Sequence, residues 1–238
     1  MRMDADIGEL DDELGLLTEI DWTSPLTELT ERLDAIRTAA ERRTDPTVVV
    51  LRLRGATGDR AWPRDVGVRQ VNRWERAVRG LERMAAVVIV AAEGTCGGPT
   101  LDLLLAADYR IVARDLRVLL PVNEDQFWPG MGVYRLALQL GTARARQLVL
   151  WGAEISAARA LDVCLADEMT AEVDETIATA VVMLGRTAGT DLSVRRQLLL
   201  EAQATTYEEA LGAHLAACDR ELRRVAANSG EAGRGEGT

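Results

Sequence analysis

One stretch in the middle of the chain, Val87 to Asp108, constrains the fold more than any other; it reads VVIVAAEGTCGGPTLDLLLAAD. An uninterrupted apolar run from Val87 to Ala92 meets a glycine-rich turn and is followed by a second apolar block. The first run lacks the alternation of a half-exposed strand, so it predicts a strand buried on both faces that feeds a buried helix. The turn is Gly94-Thr95-Cys96-Gly97-Gly98-Pro99. Proline suits the first helical position, where its missing N–H is no loss, which puts Gly98 near the N-cap and makes Leu101 to Ala107 helical. The backbone N–H groups of Gly97 and Gly98 at such a junction are natural partners for developing negative charge.

These residues also resemble a known family. A strand, Gly94, a short turn of small residues, an acid at Asp102 and a second acid at Asp108 are similar to the signature of the crotonase (enoyl-CoA hydratase/isomerase) superfamily. The likeness continues through Leu120-Pro121, Pro129-Gly130-Met131-Gly132, Tyr134-Arg135-Leu136 and Leu140-Gly141-Thr142-Ala143-Arg144-Ala145. It ends with Leu150-Trp151-Gly152-Ala153-Glu154-Ile155-Ser156-Ala157 and Ala160-Leu161. The resemblance implies an α/β chain with a crotonase-type (ClpP/crotonase) ββα spiral core over 1–170 and a C-terminal helical assembly region over 171–227. It also implies an acyl-CoA ligand, with coenzyme A present only as part of a thioester, no other cofactor and no metal.

The same comparison names site residues and exposes departures. Members of the family hold the thioester oxyanion with a peptide N–H that aligns here with Pro99, and proline has no N–H. The segment aligned with the second donor reads Ala61-Trp62-Pro63-Arg64-Asp65-Val66 and matches no donor motif. The two family glutamates fall on Asp102 and Val122. Asp102 is therefore the catalytic candidate, although a first-turn acid also sits well against a helix dipole with no catalytic duty. Glu124 and Asp125 are the acids nearest the lost position; Glu124 stands as a replacement acid or as part of a solvated loop. Arg60 and Arg64, in the polar loop GATGDRAWPRDVG, match the fork geometry that phosphates of CoA would meet, or are solvated surface arginines. Trp128, with Phe127, is placed to wall an acyl site. Cys96 has no histidine near in sequence, His214 being the only one, and reads as a small buried thiol.

Composition bounds the partners. The net charge is −10 and all 28 basic residues are arginine, which argues against general nucleic-acid or anionic-membrane binding. Three cysteines, Cys96, Cys164 and Cys218, form no complete disulfide set and no metal spacing, in keeping with a reducing cytoplasm. The start, MRMDADIGELDDELG, has no secretion-signal pattern, and no apolar run is long enough for a membrane span.

Along the chain, residues 14–22 read as a first strand, and Ser24-Pro25 as N-cap and first helical residue of a helix burying Leu26, Leu29, Leu33 and Ile36. Thr47 to Leu53 is a β-branched strand, and Val68 to Met84 a helix with Val71, Trp74, Val78 and Leu81 on one face. Tyr109 to Ala113 and Arg117 to Leu120 read as short strands. Val173 to Leu184 and 193–227 read as helical, and 228–238 as a disordered tail.

Within the family, a short chain with these losses resembles auxiliary members that assist a type III polyketide synthase in forming 3,5-dihydroxyphenylacetyl-CoA from malonyl-CoA. Two classes of function stand. One is a non-catalytic partner of such a synthase or of a second crotonase, built as a homotrimer or hexamer. The other is a hydratase- or dehydratase-type enzyme acting on a polyketidyl-CoA, with Asp102 as its acid–base.

Overall fold

The valine-rich segments sort themselves by alternation, and the two faces of one sheet follow from it. In the computed structural model, which describes residues 7–10, 15–21, 23–54, 66–120, 122–123, 126–202 and 204–232, the first strands and helices are β1 (Ile7–Glu9), β2 (Gly15–Asp21), α1 (Leu26–Glu41), β3 (Val48–Arg54), α2 (Val68–Leu81) and β4 (Val87–Glu93). Then come β5 (Thr95–Cys96), α3 (Pro99–Ala106), β6 (Tyr109–Ala113), β7 (Arg117–Val118), β8 (Val122–Asn123), β9 (Gln126–Phe127), α4 (Gly132–Leu140) and α5 (Thr142–Trp151). β10 (Ile155–Ser156), α6 (Ala157–Asp162), β11 (Glu168–Thr170), α7 (Val173–Gly185), α8 (Thr190–Glu201) and α9 (Tyr207–Ala232) complete the order.

The main sheet runs β1-β2-β3-β4-β6-β11, parallel from β2 to β11 with β1 antiparallel at the edge. Its register sets Leu17, Val50 and Ile89 in one row and Thr18, Leu51 and Val90 in the next. Successive strand residues point to opposite faces. Val48, Val50, Val87, Ile89, Ala91 and Ile111 therefore meet Val173, Ile177, Ala180 and Val181 of α7, while Val49, Leu51, Val88, Val90 and Val112 meet the side that holds α1, α2 and α3. Both faces being covered explains why β4 reads as continuous hydrocarbon. A second, small sheet β10-β7-β5 takes the chain out of the main sheet just after Gly94, and β8 and β9 form a two-stranded hairpin. This is the mixed α/β architecture expected.

Several boundaries differ from the sequence reading, each for a local reason. α1 has Pro25 as its N-cap, one residue later than the Ser-Pro pattern suggests. The polar groups before it serve a turn instead: Asp21 Oδ1 accepts from the Thr23 N–H and hydroxyl at 2.9 and 2.7 Å, and Pro25 O accepts the first helical bond from Leu29. α2 stops at Leu81, and Met84 lies in the turn that follows. β7 ends at Val118. The edge strand β1 carries no apolar alternation and escaped the sequence reading.

The helical stretch 193–227 is interrupted. Thr206 and Glu209 form a reciprocal cap at the start of α9: Glu209 Oε2 accepts from Thr206 N–H at 2.9 Å and Thr206 Oγ1 from Glu209 N–H at 3.3 Å. This T-x-x-E pattern is a helix-start signal that satisfies orphan donors. α9 continues to Ala232, so residues 228–232 are helical, and 233–238 lie outside the described residues. The chain divides into two compact units, 1–192 and 193–238. The first extends past residue 170 because α7 closes one face of the main sheet. Among the described residues no helix is long and apolar enough to cross a membrane.

Candidate functional site

The glycines of the central signature do separate jobs. Gly94 has φ 65°, a left-handed conformation that side chains disfavour, and its carbonyl accepts from Arg117 N–H at 2.7 Å as the chain turns from β4 into the small sheet. Asp108, at the other end of the signature, ties the chain back to the main sheet: its Oδ2 accepts from Val88 N–H at 2.8 Å and its own N–H donates to Val88 O at 2.9 Å. The spacing between the two is thus the length of one excursion from the main sheet and back.

Between them lies a tight turn, Gly97 to Thr100. Gly98 has φ 53° and ψ −126°, the first central position of a type II′ turn, and Thr100 N–H donates to Gly97 O at 3.2 Å. The Thr100 hydroxyl locks the turn, accepting from Gly97 N–H at 3.0 Å and donating to Gly97 O at 2.8 Å. The Gly97 N–H is therefore committed within the turn. No hydrogen bond from the N–H of Gly98, a buried residue, is formed among the described residues. Pro99 occupies the first position of α3, as its sequence setting predicts, and Gly98 is the N-cap.

Cys96 is wholly buried, and burial pushes its thiol up to about 12, against a hydrogen bond with Thr100 that pulls it down. Such a thiol is inert near neutral pH, since the thiolate is the nucleophile. His214 is exposed on α9, in the other compact unit.

Asp102, the acid of the signature, lies in the first turn of α3. The apolar character of α3 buries the residue completely, at 0% exposure. Its Oδ2 accepts from two indoles, Trp74 Nε1 of α2 at 3.0 Å and Trp128 Nε1 at 2.9 Å. Its Oδ1 faces Arg135 Nη1 of α4 at 3.4 Å. Arg135 continues the network, with Nε donating to Glu82 Oε1 at 2.9 Å and Nη1 lying 3.0 Å from Glu75 Oε2. That last contact is an attraction without hydrogen-bond alignment. The other Glu75 oxygen accepts from Met131 N–H at 2.8 Å, and Glu82 Oε2 accepts from Arg79 at 2.7 Å. Burial pushes Asp102 up to about 7 from an ordinary 3.8, and the nearby Glu75 carboxylate adds to the rise; Arg135 and the two indoles pull the other way.

The backbone comes in close over this carboxylate. A Cβ on Gly130 would lie 2.6 Å from Asp102 Oδ2 and closer still to Trp128 Nε1, and one on Gly132 would lie 3.3 Å from Asp102 Oδ1. The Pro129-Gly130-Met131-Gly132 motif thus has glycine where the chain crosses the aspartate. Asp102 consequently meets indole, guanidinium and backbone on its described sides.

Of the remaining site candidates, Trp128 is 5% exposed, with its ring in the main core and its N–H spent on Asp102. Arg60, Arg64, Glu124 and Asp125 lie outside the described residues. Val122 is in β8, its backbone paired with Phe127. Trp74, Glu75 and Glu82 escaped the sequence reading as site residues: Trp74 reads as one more core residue of an amphipathic helix, and the two glutamates as its polar face. Arg135 stands inside a family-like motif, but nothing in that motif says what it pairs with.

Comparison with known proteins agrees with this fold. Residues 55–234 match the family model described as enoyl-CoA hydratase/isomerase. A protein of Amycolatopsis orientalis named enoyl-CoA-hydratase is 41% identical over 212 residues, covering 89% of this chain and 97% of that one. Among solved structures, an enoyl-CoA hydratase/isomerase from Marinobacter aquaeolei superposes with a TM-score of 0.72 at 16% identity, covering 91% of each chain. An enoyl-CoA hydratase from Polaromonas sp. JS666 does so with a TM-score of 0.71 at 20% identity, covering 95% of each. At these identities the two structures speak for the fold, while the family match spans most of the sequence, and the chain belongs to the enoyl-CoA hydratase/isomerase family.

Proposed function

We propose that this protein binds an acyl- or polyketidyl-CoA thioester on the family fold and serves as an auxiliary to a type III polyketide synthase that forms 3,5-dihydroxyphenylacetyl-CoA, the role of DpgB, which it resembles. The observation that carries this reading is the fate of the family's acid position. Asp102 is sealed between two tryptophans and an arginine, so a proton on it has no described path to a ligand. Pro99 removes a peptide donor from the position that family members use, and Val122 cannot transfer a proton. Losing one preorganised donor costs about 3 kcal/mol of transition-state stabilisation, and a missing general acid roughly a hundredfold or more in rate. Ligand binding through the Gly98 N–H survives both losses.

The test measures aromatic product from malonyl-CoA with the synthase alone and with this protein added, alongside hydration of a simple enoyl-CoA. More product with the protein present and negligible hydration are expected. No gain in product removes the auxiliary role, and hydration near ordinary enzyme rates, roughly ten per second, moves the protein to the hydratase class. That second reading has support of its own: a carboxyl near 7 is poised for proton transfer at neutral pH, and the Amycolatopsis relative bears a hydratase name.

The same reading includes assembly as a homotrimer or hexamer. Tyr207, Leu211, Leu215 and Leu222 are exposed along α9, a spacing that forms one apolar stripe in want of cover. Light scattering at micromolar concentration is expected to give a multiple of three chains, and a stable monomer would contradict it.

A further inference from the structure

An aspartate with no exposed surface, answered by two indoles and a guanidinium, is an expensive way to fill a core. Hydrocarbon of the same volume is often as stable as a buried ion pair, so burial of the charge does not explain itself by stability. What the arrangement does supply is direction. The two indoles share Oδ2 and the guanidinium takes Oδ1, and the three arrive from separate places: Trp74 from α2, Arg135 from α4, and Trp128 from the segment between β9 and α4.

Trp128 is the residue directly after the β8–β9 hairpin. That hairpin pairs only Val122 with Phe127 and Asn123 with Gln126. So short a two-stranded ribbon is marginal alone, and its place depends on what anchors its ends. On the α4 side three contacts supply an anchor: the indole bond to Asp102, the Met131 N–H on Glu75, and the approach of Gly130 to the carboxylate. The hairpin includes Val122, which aligns with a family catalytic position.

We propose that Asp102 is a positioning residue, whose carboxylate holds Trp128 against the corner of α2 and α3 and thereby places the Val122–Phe127 hairpin, setting which acyl groups the thioester site admits. The acyl clause rests on the thioester reading above; the placement of Trp128 does not. The position that family members use for proton transfer is, in this chain, the anchor of Trp128 and of the strand pair that precedes it.

The charged and titratable groups around the carboxylate are Glu75 and Arg79 of α2, Glu82 at its C-cap, Arg135 of α4 and Cys96 of β5. The experiment labels the full-length protein with 5-fluorotryptophan and assigns its five fluorine resonances by single Trp→Phe changes. In wild type, Trp74 and Trp128 are expected to shift together with one midpoint near neutral pH, while Trp151, exposed at the end of α5, stays still. Asp102→Asn keeps the shape but turns an amide toward Arg135. It is expected to displace both resonances, abolish their titration and lower the preference for butyryl-CoA over free CoA by about tenfold, with affinity for CoA itself unchanged.

Gly130→Ala leaves the carboxylate in place but drives a methyl between it and Trp128; it is expected to move the Trp128 resonance and lower the same preference while Trp74 still titrates. An Asp102→Asn protein with an unmoved Trp128 resonance, or with a moved one and full acyl preference, overturns the proposal. Should that variant not fold, separate midpoints for Trp74 and Trp128 in wild type would overturn it equally. If wild type binds neither butyryl-CoA nor CoA, the thioester reading falls and the acyl clause with it, and the joint titration still decides whether Asp102 holds Trp128.

Discussion

The two faces of the main sheet are built from the same valine-rich strands but solve burial differently. Under α7, β3, β4 and β6 present Val48, Val50, Val87, Ile89, Ala91 and Ile111 to Val173, Ile177, Ala180 and Val181, hydrocarbon on hydrocarbon. Its main charged cluster lies at the rim, where Arg52 donates to Glu93 at 3.1 Å and Asp174 at 2.6 Å. On the opposite face the layer of α2, α3 and α4 carries Asp102, Glu75, Glu82 and Arg135 inside the packing. An apolar layer tolerates small slips and substitutions of like volume, whereas a buried charge network has one satisfied arrangement. The difference teaches that the α7 side is built for stability and the α2–α4 side for placement, and the candidate site lies on the latter.

The comparison breaks most visibly at Arg135. Arg135→Ala leaves Asp102, Glu75 and Glu82 without their common cation, and removing one partner of a buried ionic network costs about 4 kcal/mol. Urea unfolding at neutral pH is expected to show an unfolding free energy lowered by that amount, with part of the loss recovered in acid, where the stranded carboxylates are neutral. A loss below about 1 kcal/mol would place the network among weak surface pairs.

A smaller effect distinguishes the faces by pH. Asp102 is held near 7, above its ordinary value of 3.8, because burial disfavours the charge. Between about pH 4 and pH 7 the folded chain keeps a proton that the unfolded chain has released, so this residue's contribution to stability is fully present below that window and is lost as pH rises through it. Asp102→Asn has no such group. The stability of wild type minus that of the variant is therefore expected to fall between about pH 5 and pH 8, by on the order of 2 kcal/mol, in paired thermal or urea melts. A gap that widens with rising pH would mean that the indoles and Arg135 outweigh burial.

The smallest effects belong to the α7 face. Ile89→Val removes one methylene from a fully buried row and is expected to cost about 1 kcal/mol, the same at every pH between about 5 and 8. At its rim, Asp174→Asn is expected to change stability by about 0.5 kcal/mol or less, since the Asp174 side chain is 79% exposed. A pH-dependent penalty for Ile89→Val would show that the faces are coupled and not separate layers.

How much of this was legible follows the same division. The α7 face is written in the sequence: the β-branched run of β3 and the solid apolar run of β4 identify strands, and Leu26, Leu29, Leu33 and Ile36 identify the face of α1 that packs on the other side. Pro99 announces the start of α3 because its ring fits only the first turn. Gly94 and Asp108 mark the limits of one excursion from the sheet, and their family spacing is visible without coordinates. The cap at Thr206 and Glu209 is legible too, as a T-x-x-E pattern set inside a longer helical rhythm.

What the sequence by itself determined is therefore the longer elements from β2 to β6, with α7, and the family. Those follow from propensity, periodicity and local turn chemistry, which act over a few residues along the chain. Only the tertiary structure decided that Asp102 answers Trp74 and Trp128, that Arg135 joins three carboxylates, and that Gly130 and Gly132 are glycine because a carboxylate lies beneath them. These partners stand far apart in the chain and share no period. The same aspartate at the same family position reads as a proton carrier when its surroundings are unknown and as a clasp when three donors converge on it, because a carboxylate's chemistry is set by which groups face it and by whether water can reach it.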